Sequence, residues 1–317
     1  MGRAVVLLGG IAAVLAGLAS AAGVFLRGDL TTEEFVTVRG EVVQVVTDGI
    51  YRYNSEGIVA EGVGWDIVTL FVVVPAALVA FYLLWRGSLR AALVSAGLLA
   101  YFTYQSVEYA VFWAYGPLYP LYVAVLALSV SALALLIYGL DFEALAASVN
   151  ERFPRRAITG YAVAIVVILL GLWLPVIGGT LGGGVTDELE GASTLVVPAF
   201  DLGLLVPLAV FTAIAVWKRA PVGYVLGMLV LVKGASMALA IAAMLVVEFL
   251  VTDQLALPPL VVFLVVAGAS VVIGARALRS LELVSSRSAQ GSAQRAVQPP
   301  STTSVVPVTS EAAGEAR

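Results

Sequence analysis

Long unbroken apolar runs alternate with short polar intervals along this chain, and the runs set the architecture. Crossing ~30 Å of hydrocarbon at 1.5 Å per residue takes ~20 apolar residues in a helix. Eight runs reach that length, at about 4–26, 65–85, 90–112, 118–139, 158–178, 195–217, 221–248 and 259–279. They are continuous and lack the alternating pattern of an outer-membrane barrel. The pattern predicts an all-α polytopic bundle of eight transmembrane helices. The seventh run exceeds what a span requires, so it should tilt or protrude. Between the third and fourth, Tyr115-Gly116-Pro117-Leu118-Tyr119-Pro120 reads as a tight interfacial turn with an aromatic belt.

The polar intervals divide the rest. In 27–64, Val42-Val43-Gln44-Val45-Val46-Thr47 and Ile50-Tyr51-Arg52-Tyr53 flank Asp48-Gly49, a pair that supplies the positive φ angles of a type I′ turn. This predicts a small extracellular hairpin with Asp48-Gly49 at its tip, either a cap over a ligand site or a decoration. Gly57, Gly62 and Gly64 then lead back to Trp65. The linker 140–157 and the Ser-, Ala-, Gln- and Pro-containing tail 285–317 are expected inside the cell, the tail disordered for want of core residues. The glycine-rich stretch 178–184 has no Lys, no preceding strand and no P-loop Ser/Thr, so it reads as a flexible connection.

Charge orients the bundle. Of the seventeen Lys and Arg, thirteen fall on one side: Arg3, Arg86, Arg90, Arg152, Arg155, Arg156, Lys218, Arg219, Arg276, Arg279, Arg287, Arg295 and Arg317. Arg27, Arg39 and Arg52 lie in the first loop on the other side, and Lys233 lies within a span. Positive residues stay cytoplasmic, so both termini are expected in the cytoplasm of a multi-pass protein of the cytoplasmic membrane. Arg3, an apolar run and Ala19-Ser20-Ala21 also fit a cleavable secretory signal. The run is longer than a usual signal core, which favours a retained first helix.

Composition narrows the chemistry. Hydrophobic residues make up 61% of the 317 and charged residues 12%, against the roughly 25% charged of a soluble domain. The net charge of −4 offers no basic stripe for nucleic acid. With no His and no Cys there is no disulfide, thiolate nucleophile, imidazole base or His/Cys zinc site. No residue pattern asks for a cofactor or a metal. Enzyme readings find little support: two intramembrane Asp residues for aspartyl proteolysis are lacking, Ser236 and Lys233 share one helix turn without a wider motif, and a retinal-binding Lys233 would lack its usual carboxylate.

Polar groups inside a bilayer each cost several kcal/mol unless paired, so they mark candidate sites. Tyr101, Tyr104, Gln105 and Glu108 form one stripe of the third span at i, i+3, i+4 and i+7. Asp201 and Lys233 lie on the sixth and seventh. Asp66, Glu108 and Glu248 fall near the outer interface, where contact with water is the simplest expectation. From the helical rise, Asp201 sits roughly 24 Å and Lys233 roughly 18 Å above the inner end, close enough for a snorkelling lysine to pair with the carboxylate.

Two hairpins also share a pattern. Trp65-Asp66 and Phe200-Asp201 each precede a proline (Pro75, Pro207) and a basic turn at Trp85-Arg86 and Trp217-Lys218-Arg219, with Tyr101 and Lys233 equally spaced beyond. A four-plus-four parallel duplication would give this pattern, and so would any two short-turned hydrophobic hairpins. Asp201-Leu202-Gly203 with Pro207, Gly223-Tyr224, Leu231-Val232-Lys233-Gly234, Arg86-Gly87-Ser88-Leu89 and Leu99-Ala100-Tyr101 resemble a pattern recurring in an uncharacterised family of prokaryotic multi-spanning membrane proteins. The resemblance covers most of the membrane region but not the tail. It implies a prokaryotic cytoplasmic-membrane protein and no activity. Two functions are expected on these grounds. The first is binding or passage of a small molecule or lipid through an outward-facing polar cleft. The second is a structural or sensory part that contacts a partner protein through the outer hairpin or inner tail.

Overall fold

A computed structural model describes residues 2–183, 186, 189–253 and 255–281. Helix α1 (Gly2–Phe25) is followed by strands β1 (Thr32–Val36) and β2 (Val42–Val46), then α2 (Glu56–Trp85), α3 (Leu89–Val111) and α4 (Tyr119–Tyr138). The short α5 (Phe142–Ser148) leads to α6 (Arg155–Thr180), α7 (Val196–Trp217), α8 (Pro221–Thr252) and α9 (Leu257–Arg279). Seven of these helices, all but α3 and α5, are long and apolar enough to cross a membrane. Helix α3 has the length, at 23 residues, but its polar stripe dilutes its hydropathy. The tail 285–317 lies outside the described residues.

The helix boundaries follow the apolar runs closely, with one large departure. Helix α2 begins at Glu56, capped by Ser55, whose side chain accepts from the Ile58 amide at 3.1 Å. Gly57, Gly62 and Gly64 are therefore helical and do not form a loop. A side chain on Gly62 would run into Trp113, and one on Gly64 into the α8 backbone at Ala243 and Met244. Small residues that let two helix backbones touch offset the roughly 1 kcal/mol propensity penalty of helical glycine.

The two-stranded sheet before α2 turns at a different place from the one the Asp48-Gly49 signal gives, although backbone bonds of Val46 to Tyr53 and Asn54 also close a loop around that pair. Strand β2 pairs antiparallel with β1, in register from Thr32 opposite Val46 to Val36 opposite Val42. The connection is thus Thr37–Glu41, where Gly40 takes a φ of +85° and the Thr37 amide bonds the Glu41 carbonyl at 2.8 Å. Asp48 is drawn elsewhere: its carboxylate accepts from the amides of Asp29 (2.8 Å) and Thr31 (3.1 Å). Gly49 keeps its positive φ, at +71°, but turns the chain against Arg27. An Asp-Gly pair is a local preference, and these two longer-range bonds to Asp48 override it.

Helix α8 is the central element, packed against α2, α3, α7 and α9, while α1 lies on α2 and α4 and α6 lies on α7. One apolar core runs among α1 to α4 and α8. A second, at the end that holds the basic turns, joins Leu93, Leu145, Ile158, Val216 and Met228. Outward faces carry bare aliphatic side chains such as Leu7, Val167 and Val265, at 62%, 63% and 64% exposure. A surface of that kind is stable only against lipid, so the chain is a multi-pass membrane protein.

Candidate functional site

Two helices are interrupted at matching places. Residues Thr69–Val73 in α2 and Asp201–Leu205 in α7 form single π turns, closed by the Val74 amide on the Thr69 carbonyl and the Val206 amide on the Asp201 carbonyl. Each is followed at once by a proline, Pro75 or Pro207. A proline has no N–H for its i−4 carbonyl and crowds it, and a widened turn relieves that crowding. One shift of register carries Thr69 onto Asp201, Pro75 onto Pro207, Trp85 onto Trp217, Gly87 onto Arg219 and Tyr101 onto Lys233. Gly87 and Arg219 both have positive φ, +83° and +57°. The counterpart of Asp201 is therefore Thr69, not Asp66 as the spacing of the acids suggests.

Tyr101, at the position of Lys233, bonds Thr69 across 2.7 Å. Thr69 donates in turn to the Trp65 carbonyl at 2.9 Å and accepts from Gln105 Nε2 at 2.8 Å. In the other hairpin the corresponding groups are charged, and a third helix intervenes. Tyr104 of α3 donates to Asp201 Oδ1 at 2.7 Å, and Trp173 of α6 donates to Asp201 Oδ2 at 2.8 Å. The Lys233 ammonium lies over the Tyr104 ring, 3.9 Å from its centroid. Asp201 and Lys233 therefore do not form the direct pair that the helical rise suggested; Tyr104 stands between them, with a hydrogen bond on one side and a cation–π contact on the other.

Glu108, one turn beyond Tyr104, faces the same group and lies within the electrostatic reach of both Asp201 and Lys233. It is 1% exposed and lies close to the Tyr104 hydroxyl, whose one proton is given to Asp201, so neither Glu108 oxygen has a well-formed hydrogen bond. Tyr104 and Glu108 of the α3 stripe thus join Asp201 and Lys233 in one buried cluster, with Trp173, built from α3, α6, α7 and α8.

Asp66 belongs to a second knot. It is 2% exposed and accepts from Tyr51, in the loop before α2, and from Tyr109 at 3.2 Å. Burial, and then the Asp66 charge, push the Tyr51 hydroxyl well above its ordinary value, so it stays a donor. Tyr109 stacks on Tyr122 at 4.8 Å and packs at a tilt against Trp113 at 4.4 Å. Gly23 of α1 makes room, because any side chain there would collide with Asp66 and Tyr51. Water contact at the outer interface, expected for Asp66 and Glu108, is absent: aromatic residues and neighbouring helices cover both. Glu248 is half-buried near the end of α8. The other candidate polar residues are buried within the bundle.

Sequence reasoning missed Tyr51, Tyr109, Trp173 and Thr69. Trp173 carried one signal, an indole within an apolar run away from either interface, whereas Tyr51 read as a strand residue. Comparison with known proteins finds no matching family model, no matching curated protein and no matching solved structure.

Proposed function

We propose that the protein binds, and passes across the membrane, a small polar molecule held at the enclosed cluster of Tyr104, Glu108, Asp201 and Lys233. The observation that carries this reading is Glu108. A buried carboxylate whose nearest hydroxyl is already given to another carboxylate is expensive to maintain, and a purely structural ion cluster would be expected to satisfy it. A ligand that donates to Glu108 and accepts from Lys233 supplies what the cluster lacks. In this reading α3 is the eighth span, its polar stripe turned inward, and both termini are cytoplasmic in the cytoplasmic membrane as the Lys/Arg asymmetry requires. Val5, Ala12, Ala13 and Ala16 of α1 are buried in the bundle, which favours a retained first helix. The enclosed geometry is then a closed state between inward and outward access.

The chain has no Cys, so any single introduced Cys is its only thiol. In membrane vesicles, Gln105→Cys and Ser236→Cys should react with a water-soluble maleimide, and native mass spectrometry should show a co-purifying small molecule lost in Glu108→Gln. Complete protection of both thiols with no bound molecule would replace the transport reading with a structural one. The structural or sensory reading has its own support at the outer loops. Arg39 donates to the carbonyls of Ala192 (3.3 Å) and Ser193 (2.8 Å), and Glu190 accepts from Ser55. These bonds hold the hairpin and the second outer loop together as one surface for a partner.

A further inference from the structure

A small cavity beside Asp66 has no place in the cluster just described. It measures about 10 Å³ and is lined by Ser20 of α1, Asp66 of α2, Gln105, Ser106 and Tyr109 of α3 and Tyr122 of α4, with alanine and valine filling the rest. That volume suits one water-sized sphere. The Tyr122 hydroxyl, on a side chain 9% exposed, borders the cavity near the Tyr51 hydroxyl, whose proton is given to Asp66, and makes no hydrogen bond of good geometry.

Charge decides what the sphere is. The groups acting on Asp66 are the neutral hydroxyls of Tyr51, Tyr109 and Ser20. Lys233, a cation buried in the middle of α8, is engaged with Tyr104, Asp201 and Glu108. A carboxylate enclosed this way either keeps its proton or takes a counter-ion, because burial without either is costly. Every polar group around the cavity offers oxygen: the Asp66 carboxylate, the hydroxyls of Ser20, Ser106, Tyr109 and Tyr122, and Gln105 Oε1, left over because Nε2 bonds Thr69. Oxygen sets of this kind select hard cations. A divalent ion normally takes more than one carboxylate, and the described residues contain no cluster of three acidic or other metal-ligating side chains.

We infer that the Asp66 cavity is a binding site for one dehydrated monovalent cation of sodium's size. The ion ties α1 to α2, α3 and α4 and neutralises Asp66. The inference goes beyond transport and holds for a structural protein as well, because its readout is stability.

The test is thermal unfolding of the detergent-purified full chain at one pH and one ionic strength in sodium, potassium or choline chloride. Ligand linkage predicts a midpoint that rises saturably with sodium, by a few degrees, and stays flat in choline, with potassium well below sodium. Asp66→Asn should abolish the sodium response. Tyr122→Phe, which removes only the unpartnered hydroxyl, should keep the fold and weaken the apparent sodium affinity several-fold. Coincident curves in sodium and choline would overturn the inference, leaving the cavity to a water molecule. Equal rises in sodium and potassium, or a sodium response that survives Asp66→Asn, would overturn it as well.

Discussion

Tyr104 is the residue on which the charged cluster turns. Its hydroxyl donates to Asp201 while its ring face receives the Lys233 ammonium, so one side chain serves an anion and a cation at once. Tyr104→Phe keeps the ring and removes the donor. It should lower stability by about 1–3 kcal/mol, the cost of an under-satisfied buried carboxylate, read as a reduced unfolding midpoint in detergent. Lys233→Met should do more, about 3–5 kcal/mol, by leaving Asp201 and Glu108 without a cation, and adding Asp201→Asn should return much of the loss. If the double variant is no better than the single one, Glu108 is the lysine's main partner. Helical rise along the sequence puts Asp201 and Lys233 at similar depth on adjacent helices. It does not give the rotation of α3 about its own axis, which brings Tyr104 between them.

At the scale of elements, close helix contacts rest on glycines that look like loop residues. Gly64 lies against the α8 backbone, whereas Gly171 on α6 has open space where a side chain would go. Gly64→Leu should push α2 off α8 and cost about 1–3 kcal/mol or more by overpacking. Gly171→Leu should hold or slightly raise the unfolding midpoint, because leucine favours the helix and meets nothing there, and equal losses in the two variants would show that contact is not what sets Gly64 apart. The paired π turns belong to the same scale. Pro75 and Pro207 are visible in the sequence as interruptions, but a proline can also kink or end a helix. The choice of a π turn follows from the helices packed around it, which hold the chain straight enough to continue to Trp85 and Trp217.

Across the whole molecule, the predicted sidedness is open to direct test. A reporter fused after Arg219 should read cytoplasmic, and one placed in 249–258, which has no Lys or Arg, should read external. The same location for both would mean that α8 does not span. The result bears on α3 too, because seven spans instead of eight would put the ends of the chain on opposite sides.

The sequence by itself determined the membrane class and nearly every helix boundary, because both depend on local quantities: the length of an apolar run and the position of the next Gly, Pro or Arg. It also marked most of the polar residues that matter, since a Glu, Asp or Lys in an apolar run is conspicuous without any structure. Tertiary structure alone decided their partners. Asp66 and Glu108, equivalent by depth, end in separate knots because Asp66 meets Tyr51 and Tyr109 while Glu108 meets Lys233 and Asp201. The hairpin register was decided the same way, by Asp48 bonding to Asp29 and Thr31. Hydrophobic burial along a helix depends on its own sequence, whereas the direction in which one buried polar group finds another depends on helix rotations and loop contacts set by every neighbour together.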